Sequence, residues 1–510
     1  MEDLARISIE GLEWHTFFER YVGPRQPVVV REMPPGVAHL AALFGSPEQL
    51  KAKAGEAMVQ VEQFHAKEQQ YGTSLDRQSM SFAAFLDRLQ SGETQSDFPY
   101  LTTQYHATED DDDDDDDDKD ASVHHHEDEE RDGDEAEHDA REQQRADDEH
   151  FPEPLRSLLP DMDALSPEIV SGLVLQQMNL WMGRSLPQKM TSSGLHHDFH
   201  DNLYCLLKGS KRFILFPPDA APHLKPFGTI DRIHPNGLIT YDTASGPIRS
   251  DGLTEAKACR CLVQALEKEV RQAKAEGDSK QLDHLRAMHS DAVIALKKHA
   301  QTQPNRDDET SNDEEDESTD AEDTFFGLPA ADADLSEDEA DPDFSGEDDY
   351  DVLVEQGDLP GLKRSLDTAE GASAPKRMKE TDVEEDKESD EPHSFSQIRV
   401  ETLHQHLGLN GQPQTPSPEL AKAGRPFVVH INAGEMLYLP AGWWHEVSSQ
   451  SDAGDMHVAL NYWFHPPDDL QSGAFPYRAA RIWKEEKRKM QSRFARLQRA
   501  ATLKRSSPIR

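Results

Sequence analysis

Two histidines and one carboxylate, His196, Asp198 and His445, are the residues whose types and spacing point most directly to chemistry. They sit in Leu195-His196-His197-Asp198, followed by Asp201-Asn202-Leu203-Tyr204, and in Gly434-Glu435-Met436-Leu437-Tyr438-Leu439-Pro440-Ala441-Gly442-Trp443-Trp444-His445. Two imidazoles and one carboxylate hold a non-haem Fe(II) and leave coordination positions open for a co-substrate and O2. A His-x-Asp triplet alone discriminates little, since His126-Glu127-Asp128 and His289-Ser290-Asp291 also fit it. His126 lies in a polyacidic run, and His289 lies in a helical stretch, where residues two apart point to roughly opposite sides. His196 and Asp198 instead precede Leu203-Tyr204-Cys205-Leu206-Leu207, which reads as a buried strand, and on extended chain residues i and i+2 share one face. The plain alternative is a loop histidine beside a solvated aspartate; the distal motif weighs against it.

The elements that must position these residues are short and apolar. Asn202 to Leu207, a turn at Lys208-Gly209-Ser210-Lys211, and Arg212 to Phe216 read as strand, turn and strand. By period two, Lys211, Phe213 and Leu215 share a face, which sets an ammonium among apolar positions. A buried ammonium is costly unless it meets an anion, whereas an edge lysine sends its amine to water; the segment alone leaves both open. Toward the C-terminus, Phe427 to Ile431, a turn at Asn432-Ala433-Gly434-Glu435, and Met436 to Leu439 repeat the pattern, and His457 to Phe464 carries Asn461. Antiparallel hairpins of this kind predict a rolled β-sandwich whose mouth holds the site. Trp443 and Trp444 are expected to be ordinary core.

These residues resemble the JmjC-domain Fe(II)- and 2-oxoglutarate-dependent oxygenases, also described as cupin-like, and most of all the small JmjC protein hydroxylases, which include a lysyl hydroxylase. The resemblance covers most of residues 9–108, 150–250 and 394–480. It includes Pro27-Val28-Val29-Val30-Arg31, Tyr100-Leu101, Asp201-Asn202-Leu203-Tyr204-Cys205, Phe216-Pro217-Pro218, Ser394-Phe395-Ser396-Gln397 and Asn461-Tyr462-Trp463. It implies a mainly β fold with flanking helices, built on a double-stranded β-helix (jelly-roll or cupin) core. It further implies that His196, Asp198 and His445 ligate Fe(II). Lys211 would pair with the distal carboxylate of 2-oxoglutarate, helped by Tyr100 and Ser193, while Asn202 and Asn461 line the same pocket. Relatives often carry threonine where Ser193 stands, but a hydroxyl remains.

The implied reaction oxidises 2-oxoglutarate to succinate and a substrate C–H bond to an alcohol, with metal and co-substrate carrying the hard step and the protein orienting them. Hydroxylation of a nuclear protein is the leading expectation. Histone-lysine demethylation is the runner-up within the same chemistry, because hydroxylating an N-methyl group releases formaldehyde. A reading from a different class is an inactive cupin-like scaffold that binds basic nuclear proteins. That reading requires neither the triad nor Lys211.

Charge divides the rest of the chain. The formal net charge is −46, yet residues 109–150 carry 24 acidic and 4 basic groups and residues 302–393 carry 34 and 7, so the remainder is near neutral. Both acidic inserts, the first with nine consecutive aspartates from Asp110 to Asp118, are expected to be disordered. They suit steering of basic partners, such as histones or ribosomal and GTPase-type proteins. Between the inserts, Leu262, Leu266, Val270, Leu282, Leu285, Val293 and Leu296 predict a helical hairpin broken near Gly277 that packs on the body. Lys363-Arg364 and Lys376-Arg377-Met378-Lys379 resemble a bipartite signal for a nuclear import receptor, which predicts a nuclear protein, with the cytoplasm as a further location.

The expected segments are therefore 1–108, 151–250 and 394–477 for the catalytic body, 109–150 and 302–393 for the acidic inserts, 251–301 for the helical insert, and 478–510 for a basic helical tail. That tail carries twelve Lys or Arg and could meet nucleic acid, the chain's own acidic inserts or a second copy in a homodimer. Membrane insertion is not expected, for want of an apolar run of about 18 residues or a signal-peptide pattern. Three cysteines are too few for a disulfide framework or a zinc finger, so iron would have to come from His and carboxylate ligands.

Overall fold

The computed structural model of the chain describes residues 3–63, 71, 77–91, 99–104, 143–184, 191–242, 246–300, 392–409, 411, 413–450 and 456–506. Most of both acidic inserts, His126 and the two basic clusters at 363–364 and 376–379 lie outside them. Fifteen strands run along the described chain: β1 Arg6–Ile7, β2 Val28–Val30, β3 Met58–Glu62, β4 Gln78–Ser81, β5 Tyr100–Leu101, β6 Leu175–Arg184, β7 Thr191–His197, β8 Asp201–Lys208, β9 Ser210–Phe216, β10 Ile230–Ile233, β11 Ile239–Tyr241, β12 Phe427–Asn432, β13 Met436–Leu439, β14 Trp444–Gln450 and β15 Met456–Phe464. A nine-stranded sheet has the order β1-β2-β13-β8-β15-β6-β5-β3-β4, and a four-stranded sheet the order β12-β9-β14-β7. Apart from the parallel pair β1–β2, all neighbours are antiparallel.

The two sheets face each other. Tyr204, Leu206, Leu437, Leu439 and Ala459 from the large sheet meet Phe213, Leu215, Val429 and Ile431 from the small one. Alternate residues of the same strands, such as Leu203, Cys205, Leu460 and Tyr462, join a second core on the outer face of the large sheet. Helices and loops also cover the outer face of the small sheet, over Leu195, Ile214, Phe216 and Trp444. Strands buried on both faces read as continuous apolar runs, which is why β8 and β13 stood out in the sequence.

This is the expected cupin-like jelly roll, with one correction to its local wiring. The turn at Gly209 does not make a hairpin: β8 belongs to the large sheet and β9 to the small one, and the same crossing occurs from β12 to β13, β13 to β14 and β14 to β15. Each turn carries the chain around a corner, and neighbouring corners support one another. Ala433 N donates to Gly209 O at 3.1 Å and Gly434 N to Leu206 O at 2.8 Å. Both Gly209 and Gly434 have positive φ, 85° and 95°, which glycine adopts without steric cost.

Helices Glu255–Glu276 and Ser279–Ala300 form the expected hairpin, capped by the Thr254 hydroxyl and broken at Gly277, whose φ is 76°. Leu262, Leu266, Val270, Leu282 and Leu285 lie between them. The hairpin docks on the C-terminal helix Ala480–Ser506 through Lys268–Glu485 at 3.0 Å and Arg481–Glu269 at 2.8 Å. That helix turns Ile482, Trp483, Met490, Phe494 and Leu497 inward, so much of its apolar surface is used within the chain. The expectation of disorder to residue 150 needs correction. Residues 143–150 are helical, because their apolar and charged groups find partners: Ala146 and His150 are buried, and Asp147 pairs with Arg493 at 3.2 Å and Arg496 at 2.6 Å. No helix among the described residues is long and apolar enough to cross a membrane.

One buried polar contact ties four distant segments together. Arg25, 8 % exposed, donates both terminal nitrogens to the fully buried carboxylate of Asp201 at 2.7 and 2.5 Å, and its Nε to Asn236 O at 2.7 Å. The same carboxylate accepts from the Tyr438 hydroxyl at 2.6 Å and from Ala441 N at 3.0 Å. Burial works against the guanidinium's charge, but Asp201 and Tyr438 hold the proton, and the net shift is upward. Breaking a buried ion pair from one side costs about 3–5 kcal/mol, because the other charge is left uncompensated. Asp201→Ala should therefore lower unfolding stability by about that amount in urea titration, whereas Arg25→Met combined with Asp201→Leu should cost clearly less than the sum of the two single changes.

Candidate metal centre

The two halves of the sequence pattern meet by strand pairing. β7 and β14 run antiparallel with His196 directly opposite His445, and Trp444 opposite His197. His196 and His445 therefore share the inner face, their ring centroids 4.2 Å apart. Asp198 follows β7 by one residue, and its Oδ2 stands 3.7 Å from His445 Nε2. One ligand atom from each of His196, Asp198 and His445 falls within 4.8 Å of the others, and this is the one such cluster of potential metal ligands among the described residues. His197, although adjacent, points to the outer face, where Nε2 meets the Tyr241 hydroxyl at 2.6 Å. His289 faces Glu267 on the helical hairpin.

The second nitrogen of each ligand histidine is already committed. Nδ1 of His196 lies 3.1 Å from Gly194 O, and Nδ1 of His445 lies 2.9 Å from Trp443 O. A carbonyl accepts only from N–H, so both rings carry the proton on Nδ1 and turn a bare Nε2 into the site. Burial pushes both histidines down to about 4, which keeps them neutral and able to ligate at neutral pH. Burial also pushes the Asp198 carboxyl up, against the pull of His196 and of the Asn202 amide, whose Nδ2 donates to Asp198 at 3.4 Å. Two neutral imidazoles and one carboxylate, gathered on one side, fit a divalent cation such as Fe(II).

The turn Pro440-Ala441-Gly442 holds the site's two halves in register. Gly442 N donates to Asp198 O at 2.9 Å, and Ala441 N is bound by Asp201. Gly442 has φ 76°, and a Cβ there would stand 1.8 Å from Gly237 O, so only glycine fits. Trp443 and Trp444 lie on opposite sides of the small sheet, one in each core, as ordinary packing.

Beyond the triad, between the sheets, lies a polar chamber. Lys211, 3 % exposed, donates from Nζ to the Tyr100 hydroxyl at 2.9 Å and stands 5.3 and 5.5 Å from the rings of Tyr100 and Tyr204. No carboxylate pairs with it among the described residues, and burial pushes its ammonium down to about 7. On the same inner side of the sheets, Oδ1 of Asn202, both amide atoms of Asn461, the Tyr204 hydroxyl and Oδ1 of Asn179 are buried without a hydrogen-bond partner among the described residues. Buried polar atoms are normally satisfied, so a chamber with this many open donors and acceptors fits a polar, anionic occupant.

The structure brings Tyr100, Lys211, Asn202 and Asn461 to this chamber. Ser193 lies at a bulge where β7 slips against β14, its hydroxyl donating to Gly194 O at 3.0 Å and accepting from Val447 N at 3.1 Å. Ser449 stands directly opposite Lys211 on β14. Ser449 and Tyr204 escaped the sequence reading because their place follows from strand register, which no local motif encodes. Period two from His445 does reach Ser449 and would have placed it on the inner face.

Comparison with known proteins agrees with this geometry. A family model described as a cupin-like domain matches residues 14–470. "JmjC domain-containing protein 4" of Schizosaccharomyces pombe is 32 % identical over 492 residues, covering 94 % of this chain and 88 % of that protein. Shorter similarities reach "Lysine-specific demethylase JMJ32" of Arabidopsis thaliana, 30 % identical over 17 % of this chain and 28 % of that protein. They also reach "Bifunctional peptidase and (3S)-lysyl hydroxylase JMJD7" of Homo sapiens, 31 % identical over 15 % of this chain and 23 % of that protein. With its family match, its full-length relative and its jelly-roll core, the chain belongs to the cupin-like JmjC-domain family.

Proposed function

We propose that this protein is an Fe(II)- and 2-oxoglutarate-dependent oxygenase that hydroxylates a protein substrate in the nucleus. The observation that carries the reading is the juxtaposition of the His196, Asp198 and His445 ligand set with the buried, carboxylate-free Lys211. A five-carbon dicarboxylate needs both: an open metal face for its 2-oxo acid end and a cation for its far end. Bound iron would supply the oxidative chemistry, in which one atom of O2 enters a substrate C–H bond and the other enters succinate as CO2 leaves.

The chain's own residues bind and orient. His196 and His445 present neutral Nε2 atoms, and Asp198 adds one negative charge. Lys211 and Tyr100 receive the distal carboxylate, while Asn202 and Asn461 offer amide groups to the rest of the co-substrate. Phe213, Leu215 and Leu439 pack as apolar core between the same two sheets. Hydroxylase and demethylase names both occur among the relatives; demethylation uses the same site and differs in the substrate carbon. A scaffold that only binds basic proteins leaves the polar chamber without a purpose.

The reading is tested by succinate formation from 2-oxoglutarate with Fe(II), ascorbate, O2 and a peptide library drawn from basic nuclear proteins. Wild-type turnover should vanish in His196→Ala, Asp198→Ala and His445→Ala, and Co(II) binding by calorimetry should vanish with it. His197→Gln, altered on the outer face, should still bind Co(II); equal loss there would sink the assignment of ligands.

Lys211 gives a pH signature. Empty, its ammonium titrates near 7; a bound carboxylate raises that value, so above pH 7 binding must take up a proton. Affinity for 2-oxoglutarate, measured on the Mn(II)-loaded protein, should fall as pH rises from about 7 to 9, with proton uptake visible in buffers of different ionisation enthalpy. Lys211→Ala should weaken binding at least about thirtyfold and abolish the proton uptake; a pH-independent affinity would overturn the assignment.

A further inference from the structure

The residues that return from the second insert reach the metal centre itself. Ser396 N donates to Leu195 O at 2.8 Å and His197 N donates to Ser394 O at 3.2 Å, which lays residues 394–396 antiparallel along the outer edge of β7, with Phe395 opposite His196. The Phe395 ring stacks on the His196 imidazole, centroids 4.8 Å apart and planes 11° from parallel. Phe395 is half-buried and joins none of the apolar clusters, so core packing does not account for its place. The segment is itself fixed: Phe227 N donates to Phe395 O at 2.9 Å, Ser396 Oγ bonds Leu224 O, and Ile398 N donates to Ser396 Oγ at 3.0 Å.

A nitrogen lone pair lies in the plane of its imidazole, so rotation of the ring swings the lone pair away from a metal. For His196, the bond from Nδ1 to Gly194 O constrains one direction only. A flat aromatic contact constrains the plane. Groups that orient a metal-bound histidine from outside the ligand set change metal affinity by about 10- to 100-fold.

We propose that Phe395 is a positioning residue of the metal centre, its ring holding the His196 imidazole in the plane that turns Nε2 toward Asp198 and His445. The proposal rests on the metal-site reading above. It makes the fourth contributor to the site a segment from the far end of an insert, without any ligand atom of its own.

The test uses the full chain and Co(II), whose visible absorption reports ligand geometry independently of turnover. Phe395→Leu should weaken Co(II) binding about tenfold and change the absorption spectrum, while Phe395→Tyr, which keeps the flat ring, should restore both. Leu403→Val, a milder change at a buried position of the helix Val400–Leu407 that follows this segment, controls for loosened packing and should leave the spectrum as in wild type. Wild-type affinity and spectrum in Phe395→Leu, an equal defect in Phe395→Tyr, or the same spectral change in Leu403→Val would each overturn the proposal. Failure of the wild-type chain to bind Co(II) at all would instead remove the metal centre, and the proposal with it.

Discussion

The buried pairing of Arg25 with Asp201 is the constraint on which the site depends. Its partners come from the N-terminal segment, the start of β8, the 236–238 loop and the turn before β14. Arg25 itself has φ 57°, an uncommon backbone for a side chain of that size. It turns its carbonyl to Trp443 Nε1 while its guanidinium reaches Asp201. The carboxylate accepts from Arg25, Tyr438 and Ala441 N together. Satisfied on all sides, such a group specifies one arrangement of the chain around it, and here that arrangement includes both strands that carry the candidate metal ligands.

A second buried charge network stands behind the site. Glu446, the neighbour of the candidate ligand His445, faces outward and accepts from Ser192 and Ser448, each at 2.6 Å, with Arg212 and His404 beside it at 4.0 and 3.4 Å. Those bonds hold its carboxyl below the usual range although burial works the other way. β14 is therefore held on both faces, by polar groups outside and by apolar packing between the sheets inside. The outer carboxylate is met by hydroxyl and cationic groups, whereas on the inner face amide and hydroxyl atoms of Asn202, Asn461, Asn179 and Tyr204 are buried without a hydrogen-bond partner among the described residues.

Much of this was legible in the sequence. His196, Asp198 and His445 could be picked out because ligand chemistry uses few residue types, and Lys211 because an ammonium among apolar strand positions demands a reason. The helical hairpin around Gly277 followed from periodicity and a positive-φ residue. What stayed hidden depends on contacts between distant segments. A glycine turn between two apolar runs looks the same whether the second strand pairs with the first or crosses to another sheet, so the corners at Gly209 and Gly434 read as hairpins. Arg25 carries no local mark of its role, and Phe395 becomes meaningful only once its segment lies against β7. Residues 143–150 looked like more acidic tail because the arginines that neutralise Asp147 lie some 350 residues away.

The strand order has a topological consequence. Strands that precede the second insert and strands that follow it alternate through the centre of both sheets: β12, β9, β14, β7 in one, and β2, β13, β8, β15, β6 in the other. Neither half owns two adjacent strands there, so neither can build a central sheet alone, and the candidate site is woven from both like warp and weft. A nascent chain must wait for its last quarter before this fabric can close. Once closed, the weave is held by edges on both sides of every central strand rather than by the peptide linking the halves, so a nick between residues 300 and 392 would cut the thread without unravelling the cloth.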